Sequence, residues 1–416
     1  MGSPQMAPRF FYLCFVKGRG AENPHGPFCC WWRLGSASES VTKKLNKGKE
    51  VNMIKQAIMK AVAGENLSAK EMEMVMGDML SGDVTGAQIG AFVTALRIKG
   101  ETVEEIEGAV RAMKRQMKNI IVRDSLVNLD RDEINIDEET ILDTSGTGGD
   151  STNTFNVSTA TAFVVAGGGV KVAKHGSRAV SSRCGSADVL EALGIKLDIN
   201  TAVVEQCVQE IGIGFIYMPI SGVPLKYVAG PRREIGIRTI FNLLGPLTNP
   251  ADPNVHVLGV YSLDLTEKIA QVLKRLGSKE AFVVCGEGTY DEISICGPTR
   301  LCHLRNGTIE TSEIEPEQFG LKRAHQEHIR GGNAAQNAQI VRDILDGERG
   351  PKRDMVLLNA AAAFVAAGLD EDLRAGMDRA SESIDSGCAK EKLTQVVTFT
   401  QQCSYFSRYS ESLTGS

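Results

Sequence analysis

From Met53 to about Ile121 the apolar positions recur at helical spacing, and beyond Thr140 the period changes. Ser68-Ala-Lys-Glu71 and Thr102-Val-Glu-Glu105 are capping boxes, each opening an amphipathic run. Gly82 and Gly100 stand where those helices should end, and Ala87, Ile89, Phe92, Val93 and Leu96 fall on one apolar face. Further on, Val170–Ala173, Phe215–Met218, Val255–Tyr261 and Ala281–Cys285 are predicted strands. Gly185–Leu193, Thr201–Ile211, Leu265–Leu276, Asn333–Leu345 and Met355–Ala367 are predicted helices. Strand–helix alternation calls for crossover connections and a mainly parallel sheet. The expected architecture is α/β: a small helical domain (53–121) followed by a larger α/β domain (122–416). A segment near 225–250 is expected to pack on the helical part.

Residues 1–52 lack any such period and contain both tryptophans. They read as a disordered or non-native leader, with the protein proper starting near Met53. They also hold eight basic against three acidic side chains, so of the net −5 the remaining residues contribute −10. That balance argues against a nucleic-acid-binding face. Ten cysteines without paired spacing suit reduced thiols in a cytoplasmic protein. Cys296 and Cys302-His303 lack a set of four zinc ligands. No apolar run approaches the ~20 residues that would cross a bilayer.

The candidate chemistry starts in Asp143–Thr159, which follows the apolar Ile141-Leu142 and leads into a buried helix. Gly146, Gly148 and Gly149 permit a turn whose successive N–H groups form an anion-binding nest, with a helix N-terminus behind it. A second loop, Lys174 to Ser186, follows the next strand and brings Lys174, Arg178 and Arg183 together with serine hydroxyls. Solvated turns would be the plainer account of one such loop. Two at successive strand ends suit a substrate with two separated phosphate groups.

Asp291-Glu292 follows the Ala281–Cys285 strand. An adjacent acidic pair beside a phosphate pocket suits Mg²⁺, which prefers one or two carboxylates plus phosphate oxygens. Arg232, Arg233 and Arg238 precede an apolar Ile240–Gly245 stretch that reads as a buried turn. An arginine fork there could hold a carboxylate.

Together, Gly146-Thr-Gly-Gly-Asp150, Asn156-Val-Ser-Thr159, Lys174-His-Gly with Gly185-Ser-Ala-Asp188, Arg238–Pro250 and Asp291-Glu292 resemble the anthranilate phosphoribosyltransferases. The likeness runs from about Met53 to Val397 and takes in Arg330-Gly-Gly-Asn333 and Gly347–Pro351. It implies the two-domain plan shared with nucleoside phosphorylases, a homodimer, and transfer of a 5-phosphoribosyl group from 5-phosphoribosyl 1-diphosphate to anthranilate in tryptophan biosynthesis. It further implies that Gly146, Gly149, Asp150, Thr154, Asn156, Val157, Ser158 and Thr159 bind the diphosphate sugar. So would Lys174, His175, Gly176, Ser177, Arg178, Ala179, Val180, Ser181, Ser182 and Ser186. Ser158, Asp291 and Glu292 would hold Mg²⁺, and Gly146, Ser177 and Arg232 would face anthranilate. The family usually has Asn where this chain has Ser177, a shorter side chain without the amide donor. No general base is assigned, His175 being a candidate only. The alternatives are a pyrimidine nucleoside phosphorylase, whose glycine loop follows a different pattern, and an idle nucleic-acid-binding relative.

Overall fold

The computed structural model describes residues 53–122, 139–148, 152–176, 178, 184–217 and 225–413. Residues 1–52, and with them the leader reading, lie outside that set. So does Met218, the end of one predicted strand.

Among the described residues four helices come first: α1 (Met53–Val62), α2 (Ala69–Ser81), α3 (Gly86–Lys99) and α4 (Val103–Gln116). Both predicted capping boxes are present, and a third, Thr85 with Gln88, opens α3. Ile89, Phe92, Val93 and Leu96 are buried, while Ala87 in the first turn is exposed. After β1 (Ile141–Gly146) come α5 (Val157–Gly167), β2 (Lys171–Gly176), α6 (Ser186–Leu193), α7 (Thr201–Gln206) and β3 (Ile213–Tyr217). α7 runs on into one π turn, Cys207–Ile211. Next are α8 (Lys226–Ile235), α9 (Phe241–Leu247), β4 (Val255–Gly259), α10 (Leu263–Leu276) and β5 (Glu280–Gly286). The chain continues through β6 (Thr299–Arg305), β7 (Thr308–Ile314), α11 (Ala334–Leu345), α12 (Pro351–Ala366), α13 (Leu373–Asp385) and α14 (Cys388–Leu413).

The strands form one sheet in the order β3-β2-β1-β4-β5-β6-β7. The first five are parallel; β6 and β7 add an antiparallel hairpin at one edge. Strand residues alternate between two cores, as the pleat requires. Phe282 and Val284 of β5 join a cluster with α5, α11 and α12, whereas Ala281, Val283 and Cys285 face the opposite way. That second cluster is continuous with Phe92, Leu96 and Val110 of the N-terminal helices and with Val228, Phe241 and Leu244 of α8 and α9.

Three local readings are corrected. The stretch read as a turn, Ile240–Gly245, is largely helix: α9 spans Phe241–Leu247 and contains Pro246 in its last turn. Asp143 to Gly146 belongs to β1, so the glycine loop starts only at Thr147. The β6–β7 hairpin is additional to the predicted strands, although Asn306 (φ 50°) and Gly307 (φ 73°) make the left-handed two-residue turn that such a pair favours.

Candidate functional site

The carboxyl ends of β1, β4 and β5 meet at the acidic pair. A methyl group built on Gly259 would lie 1.5 Å from the Asp291 carbonyl oxygen, and one on Gly146 would lie 2.3 Å from Asp291 Oδ2. Only glycine at both strand ends lets Asp291 lie this close. The glycine loop then closes over it: the Gly148 N–H donates to Asp291 Oδ2 at 2.7 Å, and the Thr147 N–H donates to the Gly259 carbonyl at 2.9 Å. Glu292 reaches the start of α5, where its Oε1 accepts from the Ser158 N–H at 3.3 Å. Sequence-distant anion-binding and acidic elements thus share one corner.

Lys174 closes the same corner from β2. Its ammonium donates to the Thr144 carbonyl and, at 3.2 Å, to Ser158 Oγ. Burial pulls its pKa down, against the upward pull of Asp143, Glu292 and Asp291. Asp143 is itself fully buried and is pushed up to about 6, mainly by loss of water, with Lys174 and Asn249 opposing. Its oxygens accept from the His175 N–H at 3.3 Å and from Asn249 Nδ2 at 3.0 Å. His175 places Nδ1 3.2 Å from the Gly245 carbonyl, which fixes a proton on Nδ1. Burial holds its pKa down to about 4, so the ring is neutral near pH 7, and Nε2 is buried without a partner.

At the start of α5, Asn156 does not cap the helix with its side chain. Its Oδ1 instead accepts from Asn337 Nδ2 of α11 at 2.8 Å, while the first-turn N–H groups of Val157, Ser158 and Thr159 donate to the Phe155 carbonyl, Glu292 and the Asn156 carbonyl. Thr154 pairs with Arg330 in an isolated bridge, and the Gly331 N–H donates to the Asn153 carbonyl at 2.9 Å. Val157 and Thr159 have fully buried side chains, so only their backbone can serve a ligand. Ser186 begins α6 beside Gly176: a methyl group on Gly176 would lie 2.4 Å from Ser186 Oγ. Arg178 donates to Glu191 (2.7 Å), Asp188 (3.0 Å) and Tyr217 (3.0 Å), which raises its pKa.

Arg232 sits on α8 with its guanidinium 5.0 Å from the Phe241 ring of α9. That helix also carries Gly245, the acceptor of His175, so Arg232 connects to the corner through α9. Burial lowers its pKa, and among the described residues no carboxylate pairs with it. A partly desolvated guanidinium of this kind suits a carboxylate ligand. Gly149, Asp150, Ser177, Ala179, Val180, Ser181 and Ser182 lie outside the described residues.

Several contributors carried no local signal. Gly259, Asn337 and Asn359 act through partners far along the chain, and only Asn359, a lone amide in an alanine-rich helix, stands out in the sequence. For Mg²⁺ the donor set fits. Three carboxylates (Asp143, Asp291 and Glu292) act electrostatically on one lysine, a surplus of negative charge that a divalent ion would balance. Among the described residues no group of three or more His, Cys, Asp or Glu forms an all-protein cage. Mg²⁺ bound by two carboxylates and substrate phosphate needs none.

Residues 55–117 match the glycosyl transferase family, helical bundle domain, and residues 138–390 match its a/b domain. The chain is 55% identical over 350 residues to the anthranilate phosphoribosyltransferase of Geotalea uraniireducens, covering 84% of this chain and 100% of that protein. The crystal structure of the Thermus thermophilus anthranilate phosphoribosyltransferase superposes with a TM-score of 0.75 at 40% identity, covering 83% of this chain and 99% of the other. The Saccharomyces cerevisiae enzyme in complex with PRPP and Mg also gives 0.75, at 28% identity, covering 85% and 99%. Fold, site and sequence agree: the chain belongs to the anthranilate phosphoribosyltransferase family of glycosyl transferases, enzymes that join a 5-phosphoribosyl group to the amine of anthranilate.

Proposed function

We propose that this chain carries out that transfer at the corner where β1, β2, β4 and β5 end, releasing diphosphate. The observation that carries the reading is the paired closure of Gly148 on Asp291 and Ser158 on Glu292. It joins an anion-binding loop to a cation-binding pair at the carboxyl edge of a parallel sheet. Gly146, Gly149, Asp150, Thr154, Asn156 to Thr159, Lys174 to Ser182 and Ser186 would hold the diphosphate sugar. Ser158, Asp291 and Glu292 would hold Mg²⁺, which when bound neutralises charge on the diphosphate. Arg232, with Gly146 and Ser177, would receive anthranilate.

Loop N–H groups at the start of α5, together with Lys174, stabilise the negative charge that grows on the leaving diphosphate as C1 becomes oxocarbenium-like. The aniline nitrogen is neutral at pH 7, so it needs placement more than deprotonation, and orienting two substrates can supply ~7–11 kcal/mol. His175, neutral with Nδ1–H bound to Gly245, can take a proton only at Nε2.

We further assign residues 53–121 and 122–416 as the helical and α/β domains and 1–52 as a dispensable extension. The homodimer would form through the helical layer, where Met59, Val62 and Ile98 are exposed. A cytoplasmic location fits the free cysteines and the finding that no described helix is long and apolar enough to cross a membrane. The test is loss of anthranilate fluorescence on adding 5-phosphoribosyl 1-diphosphate and Mg²⁺. A protein starting at Met53 should keep that activity. No fluorescence loss from the folded full chain would refute the reading.

A further inference from the structure

The geometry points to Asn359 as a positioning residue for the acidic pair, an inference that rests on the proposed metal role of Asp291 and Glu292. Asn359 lies in the middle of α12, is 1% exposed, and is flanked by Leu358 and Ala360, both fully buried. Its carboxamide grips the backbone of the residue after the pair. The Ile293 N–H donates to Asn359 Oδ1 at 3.0 Å, and Asn359 Nδ2 donates to the Ile293 carbonyl at 2.9 Å. The second amide hydrogen goes to the Met355 carbonyl, one turn back in α12, at 2.8 Å. Both amide hydrogens and the oxygen are therefore used, in an arrangement no other side chain of this length reproduces.

Asn359 imitates a neighbouring strand for one residue, seven residues beyond the end of β5. Two residues earlier, Asp291 is pressed onto Gly259 and Gly146. The acidic pair is thus clamped between a helix amide and two bare strand ends. Asn359 contacts the backbone of Ile293, so its effect on the reaction passes through Asp291 and Glu292. Orienting partners of this kind typically change metal affinity by about 10–100-fold when removed.

The experiment is Mn²⁺ binding to the full chain, followed by electron paramagnetic resonance with 5-phosphoribosyl 1-diphosphate present, for the parent, Asn359→Leu and Asn359→Asp. Thermal unfolding and both Michaelis constants are measured alongside. Asn359→Leu keeps the volume but strands both Ile293 backbone groups, and it should weaken Mn²⁺ binding by about 10–100-fold. The Michaelis constant for the sugar diphosphate should rise while that for anthranilate stays within about twofold of the parent, whereas uniform loss of folded enzyme would leave both constants alone. Asn359→Asp retains the acceptor for the Ile293 N–H and should fall between the two; it decides the matter if the leucine variant does not fold. Variants that melt earlier yet bind Mn²⁺ like the parent would make Asn359 purely structural and overturn the inference. A parent that fails to consume anthranilate with Mg²⁺ and the sugar diphosphate would instead overturn the functional reading.

Discussion

The proposed donor corner and the proposed acceptor arm are built on different principles. At the proposed donor corner Asp291 is fixed mainly by backbone, with strand-end glycines beneath it and the Gly148 N–H above it; one side chain, Asn359, holds the residue that follows Glu292. At the acceptor arm Arg232 is held by a ring contact with Phe241 on a short helix. Backbone geometry survives most side-chain exchanges, whereas a side-chain contact can be retuned by one substitution.

The largest expected effect attacks the donor corner. Asp291→Asn combined with Glu292→Gln should lower Mg²⁺-dependent turnover by ~10³-fold or more, the scale of losing a main electrostatic stabiliser. Circular dichroism would confirm the fold, and near-normal rates in the double variant would show the pair is misassigned. Gly259→Ala attacks the same place sterically. Its methyl group would sit 1.5 Å from the Asp291 carbonyl, so the acidic segment must shift. Weaker use of the sugar diphosphate is expected, with little change in the anthranilate Michaelis constant.

A smaller effect is expected at the acceptor arm. Arg232→Ala should raise the Michaelis constant for anthranilate by about 10–100-fold, the value of a charge-assisted hydrogen bond of ~1.5–3 kcal/mol. The constant for the sugar diphosphate should barely move, and equal changes in both would undo the carboxylate assignment. Ser177→Asn, which restores the amide usual in the family, should lower the anthranilate constant by a few-fold at most, about 1 kcal/mol for one neutral hydrogen bond.

Stability against pH gives a last handle. Burial holds His256 and His175 down to about 4 in the fold, below the usual 6.5. Their neutral forms therefore stabilise the protein above pH 6.5, and that contribution is lost as pH falls through 4. The shift corresponds to on the order of 3 kcal/mol for each ring. Asp143, raised to about 6, works in the opposite sense: its contribution is present below pH 3.8 and lost as pH rises through 6. Denaturant titrations of the parent and His256→Leu between pH 4 and 7 would isolate one ring. The variant should lose less stability than the parent on acidification, and parallel curves would contradict the assigned burial.

Much of this is legible in the residues. Ser68/Glu71 and Thr102/Glu105 mark two helix starts, and the β-branched runs mark the parallel strands. The hairpin is not legible because β7 is exposed along almost its whole length, with Glu310, Thr311, Ser312 and Glu313 offering no apolar period. α9 reads as a turn because Gly245 and Pro246 look like breakers, yet Pro246 falls in the last turn of the helix. Asp291 and Glu292 stand out from their place after a strand. Asn337 does not announce its role, and Asn359, though a lone amide in an alanine-rich helix, does not name its partner, since Asn156 and Ile293 lie 181 and 66 residues away.

The most direct measurement is a crystal structure of the full chain soaked with 5-phosphoribosyl 1-diphosphate and Mg²⁺. Density for the diphosphate is expected between the Gly146–Gly148 segment and the start of α5, with the ion touching Asp291 and Glu292. Sugar diphosphate bound elsewhere, or an ion that leaves both carboxylates untouched, would contradict the assignment of this corner as the reaction site.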